Sequence, residues 1–148
     1  MTEMTNQNAQ ELLAFEMHHL KMNDFHCFRE PKTGILILIA IHSTKLGPAL
    51  GGCRFVRYAS TSEAVKDVMF LARGMSYKAA LADLALGGGK AVIMAPEHPV
   101  DRQSLFEFFG QCVESLNGRY ITAEDSGVSI EDIDVIHNQT SFVTGYSD

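Results

Sequence analysis

An α/β layered domain is the fold class that the sequence predicts, and three observations carry that reading. Helical and strand-like patterns alternate along the chain, residues 35–41 form a continuous apolar run suited to a central strand, and residues 105–116 place Leu105, Phe108, Phe109, Cys112, Val113 and Leu116 at the i, i+3, i+4 spacing of a core-facing helix. At 148 residues the chain fits one domain with a sizeable core.

The first helix is expected over residues 9–21, where Leu12, Leu13, Phe15, Met17 and Leu20 recur at helical spacing before Asn23-Asp24 breaks the pattern. Residues 25–29 read as a strand, Pro31-Lys32-Thr33-Gly34 as a turn and residues 35–41 as the partner strand, together a hairpin. A longer helix begins near Ser60, which stands at capping-box spacing from Glu63, and continues through the apolar stripe Val65, Val68, Met69, Ala72 and Met75. Gly87 marks the loop beyond it, and Lys90 opens the strand Ala91-Val92-Ile93-Met94-Ala95 that Pro96 ends. After the helix at 105–116 come a short strand at 120–122, a helical turn around 130–136 and the stub Phe142-Val143.

Composition excludes several function classes. With 46% hydrophobic and 20% charged residues the chain is neither disordered nor fibrous, and a formal net charge of -6 argues against a nucleic-acid or anionic-membrane binder. Cys27, Cys53 and Cys112 are odd in number and form no CxxC pair, so no disulfide framework or thiolate zinc site is indicated and a reducing cytoplasm is the expected compartment. The polar stretch at residues 1–10 lacks the features of a secretion signal, and residues 35–41 are too short to span a bilayer, so a soluble protein is expected. His18-His19 are adjacent and do not share a helix face, and no HExxH spacing exists, so no metal site is expected.

Two lysines stand out. Gly87-Gly88-Gly89-Lys90 delivers an ammonium group into an apolar stretch after consecutive glycines that allow close backbone approach. It is no Walker A, because Leu84 occupies the required first glycine and Ala91 follows the lysine. Gly47-Pro48-Ala49-Leu50-Gly51-Gly52 also has glycines at P-loop distance, but Cys53 follows, and it reads as a tight backbone-lined loop. Lys78 falls with Leu71, Met75 and Ala82 on one face of the long helix. There it either snorkels to water near the helix C-terminus or waits, partly desolvated, for a carboxylate. Asp125, in Ala123-Glu124-Asp125-Ser126-Gly127, is either a turn or helix-entry carboxylate or a binding group on a loop. With Lys90 opening its strand and Asp125 just past the end of its own, parallel neighbours would separate the two, so their cooperation would require a mixed sheet.

Four stretches, in this order and spacing, resemble the family of glutamate, leucine, phenylalanine and valine dehydrogenases, with the leucine dehydrogenases nearest in pattern. They are Leu46-Gly47-Pro48-Ala49-Leu50-Gly51-Gly52-Cys53-Arg54, Leu71-Ala72-Arg73-Gly74-Met75-Ser76-Tyr77-Lys78, Leu86-Gly87-Gly88-Gly89-Lys90-Ala91-Val92 and Tyr120-Ile121-Thr122-Ala123-Glu124-Asp125. The resemblance implies a three-layer α/β/α domain with a mixed, mostly parallel sheet, in which residues 1–148 bind substrate and oligomerise while a C-terminal NAD-binding Rossmann domain lies outside this chain. It also implies oxidative deamination of an L-amino acid to a 2-oxo acid and ammonia, with assembly into a homodimer or higher homo-oligomer.

Carried over by the resemblance, Lys78 would hold the substrate carboxylate, Lys90 would activate water and polarise the developing oxyanion, and Asp125 would exchange protons with the amino group. Gly51 and Gly52 would let the backbone approach the substrate, and Leu50 and Met75 would line its side-chain pocket. Leu50 stands where glutamate-specific relatives carry lysine, which favours an apolar, leucine-like substrate. Cys53, where leucine dehydrogenases carry threonine, and Phe55-Val56-Arg57 depart from the pattern and leave the choice among apolar amino acids open. The competing reading is a non-catalytic module for oligomerisation or for binding amino acids or 2-oxo acids.

Overall fold

The computed structural model describes residues 6–148, so the first five residues of the polar stretch at 1–10 lie outside the described residues. In chain order the elements are α1 (Asn6–His19), β1 (Asp24–Arg29), β2 (Leu36–Ser43), β3 (Ala49–Val56), α2 (Thr61–Leu81), β4 (Gly87–Met94), α3 (Arg102–Glu114), β5 (Tyr120–Glu124) and α4 (Ile130–His137). The strands form one sheet in the order β1-β2-β4-β3-β5. Pairs β1–β2 and β2–β4 are antiparallel, and β3–β4 and β3–β5 are parallel. The sheet is therefore mixed, with β2 alone running against the other four strands.

Local chemistry sets the element ends. In the β1–β2 hairpin the Glu30 carboxylate accepts the backbone N–H groups of Lys32 and Thr33 at 3.1 and 2.7 Å, and Gly34 takes φ +75°, which closes the turn without steric cost. The Ser60 hydroxyl caps α2 by accepting the Glu63 N–H at 3.1 Å, Asp101 caps α3, and Ser129 with Asp132 forms a reciprocal capping box on α4.

Alternation along β2 and β4 divides the core. Ile37, Ile39, Ile41, Ala91 and Ile93 face α3 and α4 with Phe106, Phe109 and Ile133, whereas Leu38, Ala40 and Val92 face α2 with Val68, Met69 and Ala72. These are the three expected layers. No helix of the described residues is long and apolar enough to cross a membrane.

Four expectations are corrected. Residues 47–52 are not one loop, because Ala49 already opens β3, and β3 pairs on both sides in the interior of the sheet. Nor is Gly87 loop: residues 87–89 are the buried start of β4, with Gly89 against the Tyr120 ring and Gly88 against α2 at Ser76. Runs of glycine read as loops by composition, yet here they let neighbouring elements approach too closely for any side chain. Leu71, Met75, Lys78 and Ala82 are not the core face of α2, whose buried residues are Ala64, Val68, Met69, Ala72 and Ala79. Phe15 is 62% exposed and stacks on His19 rather than joining the core.

Ile39→Ala, in the centre of the sheet where Ile39 is fully buried, is expected to lower the unfolding free energy by about 2–5 kcal/mol in urea denaturation. Phe15→Ala, at the exposed position, should change it by no more than about 0.5 kcal/mol.

Candidate functional site

Lys90 sits in mid-strand, because β4 starts at Gly87, and both of its backbone flanks are occupied by β2 and β3. Its side chain projects to the α2 side, as does that of its cross-strand partner Ala40. Only 9% of that side chain is exposed, and its ammonium lies 2.5 Å from Asp125 Oδ2. An unpaired ammonium at such a place would be strongly destabilising, so the pair is what permits a lysine there.

Asp125 follows the last residue of β5, and β3 lies between β5 and β4. In register, Gly52 is opposite Ala123, and Cys53 is opposite Ala91, which sets Gly52 beside Lys90. A Cβ on Gly52 would come within 2.9 Å of Asp125 Cβ and 2.6 Å of the Glu124 carbonyl oxygen. Glycine at 52 thus opens the path over which Lys90 meets Asp125. The two belong to parallel strands, so their cooperation did not need an antiparallel one: the mid-strand position of Lys90 brings it level with the end of β5.

Four further groups complete the arrangement, one from β3, one from α2 and two from the connecting loops. Arg54, on the same face as Gly52, donates from Nε to Asp125 Oδ2 at 2.9 Å, and its guanidinium lies 3.6 Å from Asp67 Oδ2 on α2. The Tyr58 hydroxyl donates to Asp67 Oδ2 at 2.5 Å, and the Ser126 N–H donates to Asp125 Oδ1 at 2.8 Å. Burial alone would push the Asp125 carboxyl up, but the hydrogen bonds from Lys90, Arg54 and the Ser126 N–H hold it well below the ordinary carboxylate range. Burial likewise raises the Tyr58 phenol, with Asp67 adding to it, so Tyr58 stays protonated as the donor.

Around this cluster the sheet is open. On the α2 side, α2 lies over β4 and β2 and touches β3 only lightly, and the β3–β5 half is floored by half-buried Leu50, Ile121 and Ala123. Asp67, Leu71, Met75 and Lys78 lie at i, i+4, i+8 and i+11 of α2, so the flank pinned to β3 through Asp67 also carries Lys78. Lys78 is exposed and Met75 is half-buried. The structure thus joins Lys90, Asp125 and Gly52 directly and puts Leu50 on the floor. Gly51 faces the opposite side, where its carbonyl accepts the Tyr120 hydroxyl at 2.6 Å and its α-carbon is crowded by the Gly89 carbonyl.

Arg54, Asp67 and Tyr58 were not singled out from sequence. The missed strand β3 hid Arg54: once residues 49–56 alternate, Arg54 falls on the face of Leu50 and Gly52, and Asp67 and Tyr58 join it only through tertiary contact. A separate open cavity of about 550 Å³, lined by residues including Met17, Lys21, His42 and Tyr77, shares no lining residue with this cluster. Among the described residues no group of three or more His, Cys, Asp or Glu is placed to hold a metal ion.

Comparisons with known proteins agree with one another. The family described as Glu/Leu/Phe/Val dehydrogenase, dimerisation domain, matches residues 28–142. Leucine dehydrogenase of Bacillus subtilis (strain 168) is 49% identical over 119 residues, which cover 80% of this chain and 33% of the relative. Valine dehydrogenase of Streptomyces virginiae is 51% identical over 115 residues, covering 78% of this chain and 32% of that protein. The crystal structure of L-tryptophan dehydrogenase from Nostoc punctiforme superposes with a TM-score of 0.83 at 38% identity, covering 88% of this chain and 39% of that one. The chain spans about a third of the length of the curated relatives it matches.

Gly52→Ala is expected to force Asp125 aside and destabilise the chain by about 1–3 kcal/mol in urea denaturation, an overpacking cost. Asp125→Asn leaves the Lys90 ammonium without its counter-charge and should cost about 3–5 kcal/mol at pH 7. The Asp125 carboxyl is depressed in the folded state, so its stabilisation is complete above the unfolded value of about 3.9 and is lost as pH falls towards the folded one. The gap between wild type and Asp125→Asn should therefore be widest above about pH 4 and narrow below it. Denaturation midpoints collected across that range check both the size and the sign.

Proposed function

Since this chain belongs to the Glu/Leu/Phe/Val dehydrogenase family through its dimerisation domain, we propose that it is the substrate-binding and oligomerising part of an L-amino acid dehydrogenase. That enzyme converts an apolar, leucine-like amino acid to its 2-oxo acid and ammonia, with NAD as hydride acceptor. The observation that carries the reading is the Lys90–Asp125 pair, packed over Gly52 on a half-sheet that no described helix covers.

Each residue has a task in this reading. Lys78, on the exposed flank of α2, meets the substrate carboxylate by a charge-assisted hydrogen bond. Asp125 is fully engaged in the free site, with Oδ2 held by Lys90 and Arg54 and Oδ1 by Ser126. A substrate ammonium approaching Oδ2 displaces Lys90; the freed lysine gives its proton to solvent, then takes one from the attacking water and, an ammonium again, polarises the developing oxyanion. Asp125 then handles the protons of the leaving nitrogen. Gly52 brings the backbone close on this face, whereas Gly51 serves the packing beneath it, and Leu50 with Met75 forms the apolar side-chain wall. Relatives named for leucine, valine and tryptophan share this scaffold, so the choice among apolar substrates rests on details of that wall.

NAD enters as a group carried by a second domain. The glycines at 87–89 are packed against β2, α2 and Tyr120 and leave no concave nest for a pyrophosphate, so none of this chain's residues is assigned to the cofactor. The cofactor's nicotinamide supplies the hydride chemistry when bound. A cytoplasmic, symmetric homo-oligomer, a homodimer or larger, completes the proposal.

The test joins this chain to a nicotinamide-binding domain and follows amino-acid-dependent NADH formation. Leucine, valine, phenylalanine and tryptophan should be oxidised in preference to glutamate, and the 148-residue chain by itself should show no turnover. Lys90→Ala should lower kcat by about 100-fold or more, and Lys78→Ala should mainly raise KM, by about tenfold or more. Normal kinetics in either variant would remove that lysine from its role.

A further inference from the structure

The ion pair at the centre of the site is held by a third group. Arg54 reaches the Asp125 carboxylate from β3, donating to the same Oδ2 that Lys90 contacts from β4. The arginine is itself restrained, because Asp67 on α2 lies 3.6 Å from its guanidinium and is fixed in turn by the Tyr58 hydroxyl at 2.5 Å. Only 29% of the Arg54 side chain and 22% of the Asp125 side chain are exposed, so water screens the contact incompletely.

We propose that Arg54 is a positioning residue: braced by Asp67 and Tyr58, it fixes the Asp125 carboxylate over Gly52 and keeps it aimed into the open half of the sheet when the substrate takes the place of Lys90. This deepens the dehydrogenase reading and rests on it for the catalytic meaning of Asp125. Without Arg54, displacement of Lys90 would leave the partly buried carboxylate with the Ser126 N–H as its only strong donor, free to protonate or to swing to solvent. With Arg54, Asp125 is still an anion when the substrate arrives and meets its ammonium as a fixed counter-charge. Asp67 gives Arg54 a second carboxylate, so the guanidinium bridges α2 to the end of β5 and ties the wall of the site to its floor. A lysine could supply the charge but not the fork that reaches both carboxylates at once.

The groups facing Asp125 are Lys90 from β4, Arg54 from β3 with Asp67 and Tyr58 behind it, and the Ser126 amide from its own loop. Across the sheet Cys53 and Tyr120 are both kept neutral by burial. None of these except Lys90 and Arg54 brings a positive charge to the carboxylate. The experiment is a carboxyl-carbon NMR titration of the 148-residue chain with Asp125 assigned, in wild type, Arg54→Met, Arg54→Gln and Arg54→Lys, each checked for native fold by its amide spectrum. The Asp125 midpoint should rise by about one to three pH units in Arg54→Met and in Arg54→Gln and return most of the way in Arg54→Lys. Should Arg54→Met fail to fold, Arg54→Gln, which keeps a neutral donor near the Nε position, carries the comparison. A midpoint unchanged in a folded variant, or equal rises in Arg54→Lys and Arg54→Gln, overturns the proposal. Because the titration needs no turnover, its result stands apart from the kinetics of Lys90 and Lys78: failure here with those kinetics intact removes Arg54 alone.

Discussion

A lysine in the interior strand of a sheet must find its counter-charge, and the contact of Lys90 with Asp125 is the constraint around which the rest of this structure is arranged. The pair spans three strands, so β3 must lie between β4 and β5 and must carry no side chain where the path crosses it. Gly52 meets that requirement. The loop after β5 must also be stiff, and Arg102 contributes to this by donating to the Gly127 carbonyl at 2.8 Å while pairing with buried Asp132 and lying against the rings of Phe55 and Phe106. The apolar core and the polar site therefore share Phe55, Arg102 and the 125–128 turn.

The layer on the α2 side is incomplete for a geometric reason. A helix with its side chains is about 10–12 Å wide and strands are spaced about 4.8 Å apart, so one helix covers about two strands. α2 spends that width on β2 and β4, and α1 packs beside α2, with Leu20 and Met22 beyond its end adding to the same cluster as Phe25 and Leu38. β3 and β5 are left open on that face. That uncovered half-sheet, bearing a buried ion pair and flanked by the exposed Lys78, is the surface on which the proposed substrate site rests.

Much of this was legible in the sequence, for physical reasons that differ element by element. The stripe of α3, the capping residue Ser60 and the Pro31 to Gly34 turn are local signals, and the structure uses them locally. Lys90 was conspicuous because an ammonium within an apolar run demands a partner. The partner was not identifiable from local physics: Asp125 looked as much like a turn residue as a binding group, and only the resemblance tied it to Lys90. β3 was lost because Gly51 and Gly52 resemble loop residues, and with it went the alternation that sets Arg54 beside Asp125. Lys78 was credited to an apolar face by spacing alone, whereas packing turns that face to the edge of the core, where the lysine is exposed.

The sequence by itself determined the layer class and the family, and it marked Lys90 as a residue in need of a partner, because periodicity, capping and a specific set of motifs are written in neighbouring positions. Which residues touch was decided only by the tertiary structure. Strand order and register are set by long-range packing, and they alone bring residues 52, 54, 67, 90 and 125, far apart in the chain, to one face of one sheet. The sequence named both lysines, and the fold gave them their different settings: Lys90 buried against a carboxylate, Lys78 exposed on the flank above it.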